Sequence, residues 1–479
     1  MEQFEKLLRE QFRLWSNHEA DNIEYLPLSG SSRCYIRLSG AFKSAIGAYN
    51  KDFKENRAFI EFTKHFRYKK LPVPDIFESD LDKNIYLLED LGDETLYSFL
   101  IKNRTNRNFP ENAKQYYKKV VVLLPHFQIE GNKGLNYDYC YPRNKFDKQS
   151  MMWDLDYFKY YFLKLAQIPF DEQSLEDDFD TLTAYLLKAD SDYFMYRDFQ
   201  SRNIMLYKNE PYFIDYQGGR KGALQYDIAS LLYDAKADLP QEIRIELLND
   251  YIDELEKIIP INRKEFELYY YGFVFIRIMQ ALGAYGFRGF YENKTHFLQS
   301  IPFALKNIEW LLKNDKLPLK LNTLSVILKE LTINERLMKI AVTPSTLTVS
   351  VNSFSYKKGL PTDDSGNGGG FIFDCRALPN PGRYNEYKDK TGMDSEVVNF
   401  LKDKNEVDDF LNNVYGLIDI SLQNYIERGF TSLQINFGCT GGQHRSVFFA
   451  EKASRYIKAK YNVNVVLYHR EQDYKEIFA

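Results

Sequence analysis

The sequence predicts a multidomain α/β protein, an α+β unit with a small and a large lobe followed by a mixed α/β domain. Three observations carry this prediction. Residues 23–91 hold short strand-like segments around one amphipathic helix, residues 96–312 show long helical periodicities interrupted once at 194–225, and beyond Lys339 β-branched and polar residues alternate. A chain of 479 residues exceeds what one hydrophobic core organises, so about two to four compact units are expected.

Residues 1–17 place apolar side chains among charges at helical intervals without an uninterrupted apolar core, which predicts a helix and not a signal peptide. Strands are expected at 35–38, 44–46 and 85–88, and a helix at 54–66. The charged, proline-containing segment 313–318 ends the large lobe. The divisions are therefore 1–91, 92–316, a linker helix in 317–338, and a tail domain at 339–479. Within the tail, strands are expected at 340–342, 347–351, 371–374, 432–437 and 463–469, helices at 407–428 and 446–461, and a flexible connection at 363–370, rich in Gly, Asp and Ser.

With 63 basic and 67 acidic residues the formal net charge is -4, so nothing in the overall balance draws the protein to nucleic acid or to an anionic membrane. Cys34, Cys140, Cys375 and Cys439 lack paired spacing, which argues against a disulfide framework and a zinc site and fits a reducing cytoplasm. The richest apolar run, 269–284, is interrupted by Arg277 and Gln280 and falls short of the roughly 20 apolar residues a bilayer span needs. A cytoplasmic protein with no membrane partner is expected.

The interruption at 194–225 carries the chemistry. Asp198 is followed five residues later by Asn203, an apolar strand follows, and Asp215 ends the next one. Singly these are ordinary turn residues. Together they form the set that phosphoryl transfer to a hydroxyl requires, namely a carboxylate to accept the proton and oxygen ligands for magnesium on nucleotide phosphates. Upstream, Gly30, Ser31, Ser32 and Arg33 sit in a turn between two strands that offers backbone N–H groups to phosphate.

The sequence Tyr196-Arg197-Asp198-Phe199-Gln200-Ser201-Arg202-Asn203, with Ile214-Asp215-Tyr216, resembles the aminoglycoside phosphotransferase and choline kinase superfamily. The resemblance implies a protein-kinase-like bilobal fold, with residues 1–91 as N-lobe and 92–316 as C-lobe, and ATP and Mg2+ as cofactors. It makes Asp198 the general base, Asn203 and Asp215 the magnesium ligands, and Arg202 a phosphate or substrate contact. Tyr196 stands where the family has His and is expected to lose a scaffold hydrogen bond. Glu89 and Leu91 fall at the hinge that grips adenine. The lysine on the strand after the phosphate loop is missing, and Lys43, Arg37 or Arg33 could replace it, paired with Glu55 or Glu61. The same absence, with Met152-Trp153-Asp154-Leu155-Asp156 and Gln225-Tyr226-Asp227, resembles the bacterial anomeric kinases that phosphorylate N-acetylmuramate and N-acetylglucosamine for cell-wall recycling. An amino sugar is the acceptor this implies. Asp154 and Asp156 are expected to contact substrate, and would equally suit the cation of an aminoglycoside or choline acceptor.

In the tail, Gly438-Cys439-Thr440-Gly441-Gly442-Gln443-His444-Arg445-Ser446 lies between a strand and a helix. Adjacent glycines let N–H groups converge, the helix end adds positive potential, and Arg445 is expected to bind an anion. Cys439 to Arg445 also has the C-x5-R spacing of cysteine phosphatases. With Asp374-Cys375-Arg376, Lys390-Thr391-Gly392-Met393-Asp394 and His469-Arg470, the loop resembles the C-terminal domain of the RapZ family, whose members sense glucosamine 6-phosphate and bind a small RNA. That implies a phosphosugar site built from Asp374, Arg376, Cys439, Thr440, Gly441, Gly442, His444 and Arg445, and leaves room for an oligomer formed through this domain. The charges beyond Lys339 roughly cancel, so the electrostatic basis for RNA binding is weak. A degenerate kinase acting as a scaffold or RNA-binding regulator is the alternative, motivated by the missing lysine.

Overall fold

The computed structural model describes all residues except 1–2, 27–32, 105–107, 293–294, 341–346, 364–368, 428–429, 462 and 479. Residues 341–342 of the strand expected at 340–342, and most of the connection at 363–370, lie outside the described residues, and residue 340 is in a turn. The chain divides into two compact units, Met1–Phe287 with Ser300–Met338, and Arg288–Gln299 with Lys339–Ala479.

The first unit begins with helix α1 (Gln3–Ser16), whose Phe4, Leu8 and Phe12 recur at four-residue spacing and are buried. The strands β1 (Asn22–Tyr25), β2 (Cys34–Gly40), β3 (Lys43–Tyr49), β4 (Ile76–Asp80) and β5 (Ile85–Glu89) form an antiparallel sheet in the order β1-β2-β3-β5-β4. Helix α1 packs closely on it. A Cβ built on Gly47 of β3 would lie 2.9 Å from a Leu8 methyl and 2.9 Å from one of Leu38, so any larger residue there requires both leucines to shift. Helix α2 (Phe53–Tyr68) starts at Asp52, whose side chain accepts from Lys54 N at 3.0 Å and Glu55 N at 3.1 Å. This cap fixes Glu55 in the first turn, while Phe59 of α2 stacks on Tyr86 of β5 at 5.2 Å.

The large lobe is helical, with long members at Glu111–Pro125, Glu172–Leu186, Gln241–Ile258 and Arg263–Gly286. Into it is set a pair of two-stranded ribbons. Strand β6 (Tyr193–Met195) pairs with β9 (Arg220–Gly222), and β7 (Ile204–Tyr207) pairs with β8 (Glu210–Phe213). The helix Asn322–Ile333 does not stand apart as the linker expected at 317–338. It buries Leu324, Ile327, Leu328 and Leu331, and its first turn is capped from a distance by Asp178, whose Oδ2 accepts from Thr323 N and Leu324 N at 2.7 Å each. An apolar face plus a remote carboxylate cap makes it part of the first unit.

The second unit holds β10 (Thr348–Ser355), β11 (Gly370–Asp374), β12 (Ser432–Cys439), β13 (Asn464–His469) and β14 (Tyr474–Phe478) in the order β11-β12-β10-β13-β14. All pairs are parallel except β13 with the edge strand β14. The helices Asn405–Glu427 and Arg445–Lys460 supply Leu411, Val414, Phe448 and Phe449 to a core shared with the sheet. The chemistry-bearing loop therefore leaves the C-terminal end of a central parallel strand, where such sheets bind ligands.

Candidate functional site

The hairpin β7–β8 turns through Lys208 and Asn209, both left-handed with φ of 52° and 65°, and returns the chain beside the turn Ser201–Asn203. Asn203 is the meeting point. Its Nδ2 donates to the Asp198 carbonyl at 2.8 Å and to Asp215 Oδ2 at 3.1 Å. Gln217 Nε2 donates to Asp215 Oδ1 at 2.8 Å, so both carboxylate oxygens are held and each keeps a lone pair. The nitrogen end of the Asn203 amide is committed, which leaves its oxygen end for a cation. Asp215 is open to solvent at one face. Its pKa is nevertheless pushed up, first by the protein atoms crowding it and then by repulsion from Asp198. A hard divalent cation would relieve that repulsion, and an all-oxygen donor set suits one. Arg197 and Asp215 adopt φ of 82° and 69°, strained backbone of the kind that gathers at active sites.

Buried groups hold this loop from behind. Asp227 accepts from Tyr196 N at 2.7 Å, Arg197 N at 3.0 Å and Gln128 Nε2 at 3.2 Å. Burial pushes its pKa up to about 7 against the pull of these donors. The Tyr196 hydroxyl donates to the Ile214 carbonyl. The expected loss of a scaffold bond at Tyr196 is thus corrected, because a phenol reaches the same strand end from a buried position. Arg197 binds Asp154 through two bonds, 2.7 and 2.5 Å, and donates to Tyr226 Oη at 2.6 Å.

From the small lobe, Arg33 Nη2 lies 2.8 Å from Glu55 Oε1. Glu55 Oε1 also accepts from Gln217 Nε2 at 3.3 Å, so polar contacts run from Arg33 through Glu55 and Gln217 to Asp215. The other substitutes for the missing lysine are engaged elsewhere. Lys43 Nζ donates to the Ser16 carbonyl at 3.2 Å, Arg37 clamps Asp90 with bonds of 2.8 and 3.2 Å, and Glu61 pairs with Lys64.

In the second unit, Cys439 Sγ lies 3.1 Å from Ser446 Oγ and accepts from Gly442 N at 3.2 Å. Gly442 has φ of 69°, and a Cβ there would lie 2.3 Å from Glu471 Cγ. Thr440 and Gly441 are exposed at the loop's crest. Arg445 Nη1 donates to the carbonyls of Arg376 and Leu378 at 2.8 and 2.9 Å, while its buried Nε has no hydrogen-bond partner among the described residues. His444 Nε2 meets the Tyr387 carbonyl at 2.8 Å. Asp374 and Arg376 bind one another at 2.7–3.0 Å, a pairing that draws the Asp374 pKa down.

Residues 48–262 match the family described as phosphotransferase enzymes, and residues 347–473 match the RapZ C-terminal domain. The chain is a fusion of these two parts. Over the RapZ-type part it is 40% identical across 126 residues to a nucleotide-binding protein of Fervidobacterium nodosum, covering 26% of this chain and 43% of that protein. It is 36% identical across 126 residues to one of Staphylococcus aureus, covering 26% of this chain and 40% of that protein. The chain thus spans less than half the length of these curated relatives. Among solved structures, the choline kinase LicA from Streptococcus pneumoniae aligns with a TM-score of 0.41 and 16% identity over 61% of this chain and 92% of that one. An ADP-bound aminoglycoside phosphotransferase aligns with a TM-score of 0.40 and 14% identity over 69% of this chain and 98% of that one.

In the phosphotransferase part, Asp198, Asn203 and Asp215 come together as the spacing predicts, and Arg202 is exposed beside them, donating to Gln200 at 2.8 Å. Glu89 closes β5 and Leu91 is buried just beyond it. Gly30, Ser31 and Ser32 lie outside the described residues. Asp154 is corrected from a substrate contact to the buried partner of Arg197, and Asp156 faces the buried Lys159 at 3.3 Å. In the RapZ-type part, Arg445 stands at the helix end of the loop with Nη1 on the carbonyls of the 376–378 loop. Sequence reasoning missed Gln217, Arg197 and Asp227 as site-building residues. The positions of Arg197 beside the base and of Gln217 two residues after Asp215 were signals in plain view. The role of Asp227, 29 residues beyond Asp198, was set only by tertiary contact.

Proposed function

We propose that the first unit is an ATP- and Mg2+-dependent kinase that phosphorylates a sugar hydroxyl, that of an amino sugar of the N-acetylmuramate or N-acetylglucosamine type at the anomeric position. The RapZ-type unit binds a phosphosugar and regulates the kinase. The observation that carries this reading is Asn203, whose amide nitrogen touches both the Asp198 backbone and the Asp215 carboxylate and so fixes a proton acceptor beside a cation ligand.

The residues act as follows. The half-buried Asp198 carboxylate accepts the acceptor's hydroxyl proton, a contribution on the order of 10²–10⁴ in rate. Asn203 and Asp215 would hold magnesium through oxygen atoms, Arg33 would stabilise negative charge on the nucleotide, and Glu55 keeps Arg33 in place. The magnesium nucleotide, when bound, supplies the phosphoryl group. The Arg33–Glu55 ion pair supports an active kinase over a degenerate scaffold. A phosphatase in the tail has less support, since the Cys439 side chain is buried and its Sγ already meets Ser446 Oγ and Gly442 N.

The test is an ATP-consumption screen over sugars, amino sugars, aminoglycosides and choline with the full chain. Asp198→Ala is expected to lower kcat by about 10²-fold or more, and Asp215→Ala to abolish metal-dependent turnover. Intact turnover in Asp215→Ala would refute the assignment. For the tail, glucosamine 6-phosphate is expected to bind the full chain and alter its kinase rate, and binding without any change in rate would remove the regulatory role.

A further inference from the structure

Arg220 is a buried cation that the proposed chemistry does not use. It sits on β9 opposite Met195 of β6 and is 7% exposed. Among the described residues its guanidinium donates solely to one carbonyl oxygen, that of Gly218, from Nε and Nη2 at 3.0 Å each. Gly218 in turn faces the base, because a Cβ built on it would lie 3.8 Å from Asp198 Oδ2.

The neighbouring carboxylates are already committed. Asp154 is spent on the two-bond pair with Arg197, and Asp227 on two backbone N–H groups and Gln128. Asp198 must remain open to take a hydroxyl proton. The local set of Arg197, Arg220, Asp154 and ionised Asp198 is balanced, and it becomes one cation in excess once the base has taken the proton. A desolvated cation in that state is costly unless an anion reaches it. Consistent with this, the Arg220 pKa is drawn down, first by burial and then by repulsion from Arg197.

We infer that the acceptor carries an anionic group, a carboxylate or a phosphate, which Arg220 binds beside the catalytic base. This rests on the kinase reading and names the class of its acceptor. A guanidinium fork with two nitrogens fixed on Gly218 O is pre-oriented, and its remaining N–H groups suit an oxyanion. The arrangement opposes the cationic acceptors that choline and aminoglycosides represent.

The test uses the full chain and its Arg220→Met and Arg220→Lys variants. Binding is measured by calorimetry and transfer by ATP consumption, with N-acetylmuramate as carboxylate, glucosamine 6-phosphate as phosphate, N-acetylglucosamine as neutral and choline as cationic probe. To keep the tail from contributing, the phosphate arm is repeated in Gly442→Ala. The expected result is that one anionic probe is preferred over the neutral one by at least about tenfold in kcat/KM or Kd, that Arg220→Met abolishes this preference, and that Arg220→Lys restores part of it. Arg220→Met is also expected to hold or raise Tm, since an arginine kept for folding would lower it. Equal or better use of neutral or cationic probes, or a preference unchanged in Arg220→Met, overturns the inference. Arg220-dependent binding of an acid that is never phosphorylated supports the anion site and refutes the kinase reading instead.

Discussion

Arg33 and Glu55 form an ion pair of 2.8 Å that joins the end of the phosphate-loop sequence to the first turn of α2. Strand β3, where a lysine was expected, carries Gly47 and Ala48 at its packed end, with Gly47 pressed against Leu8 of α1. The positive charge enters instead from the start of the neighbouring strand β2, and the Asp52 cap holds its partner in register. A planar, always-charged guanidinium is suited to phosphate oxygens.

Breaking this pair has two expected effects. Glu55→Gln should raise the nucleotide KM and lower kcat together, on the order of tenfold, because Arg33 loses its anchor and Gln217 a partner. Glu55→Ala should lower stability by about 1–3 kcal/mol, less than the about 3–5 kcal/mol of a wholly buried pair, since the Glu55 side chain is 23% exposed. Steady-state kinetics and urea unfolding measure the two.

Asp227 is expected to make the phosphotransferase unit less stable as pH rises. Its folded pKa of about 7 lies above the usual carboxylate value of 3.8. Between those limits the unfolded chain has released a proton that the native state retains, so stability falls with pH across that window, by up to about 4 kcal/mol, and levels off above it. Asp227→Asn should flatten this slope while loosening the Tyr196–Arg197 backbone. Unfolding midpoints from pH 4 to 8, roughly the interval the two pKa values span, give the check.

Asp178→Ala removes the acceptor that caps Thr323 N and Leu324 N. The expected cost is about 1–3 kcal/mol, the range for a charged hydrogen-bond partner. Hydrogen exchange should quicken selectively at residues 323–331, and uniform exchange across the chain would contradict the docking described.

Two adjacent glycines in the tail loop should respond in opposite ways. Gly442→Ala meets Glu471 Cγ at 2.3 Å in a left-handed backbone, whereas a Cβ on Gly441 meets nothing within 4 Å. The first should lower stability of the RapZ-type unit by about 1–3 kcal/mol and abolish phosphosugar binding. The second should leave stability within about 0.5–1 kcal/mol. Calorimetry with glucosamine 6-phosphate compares them.

Local pattern made much of this legible. The four-residue spacing of Phe4, Leu8 and Phe12 announced α1, and the five-residue step from Asp198 to Asn203 announced the catalytic turn. Partners brought from afar did not announce themselves. Asp154 reads as a substrate contact until Arg197, 43 residues on, arrives beside it, and Tyr196 reads as a defect until its hydroxyl meets Ile214 O. Arg445 sits at a helix N-terminus, and nothing in its local sequence signals that the carbonyls of the 376–378 loop take its Nη1. Strand β14 escaped notice because Tyr474–Phe478 mixes charge with aromatics at a sheet edge and buries little.

The polar relay from Arg33 through Glu55 and Gln217 ends on the carboxylate that the reading assigns to magnesium. Ion affinity and the seating of α2 are then two faces of one equilibrium, and whatever tightens either must tighten the other by the same factor. Titrating the free chain with magnesium would in that case serve as a gauge of how firmly α2 is seated, read without any sugar present.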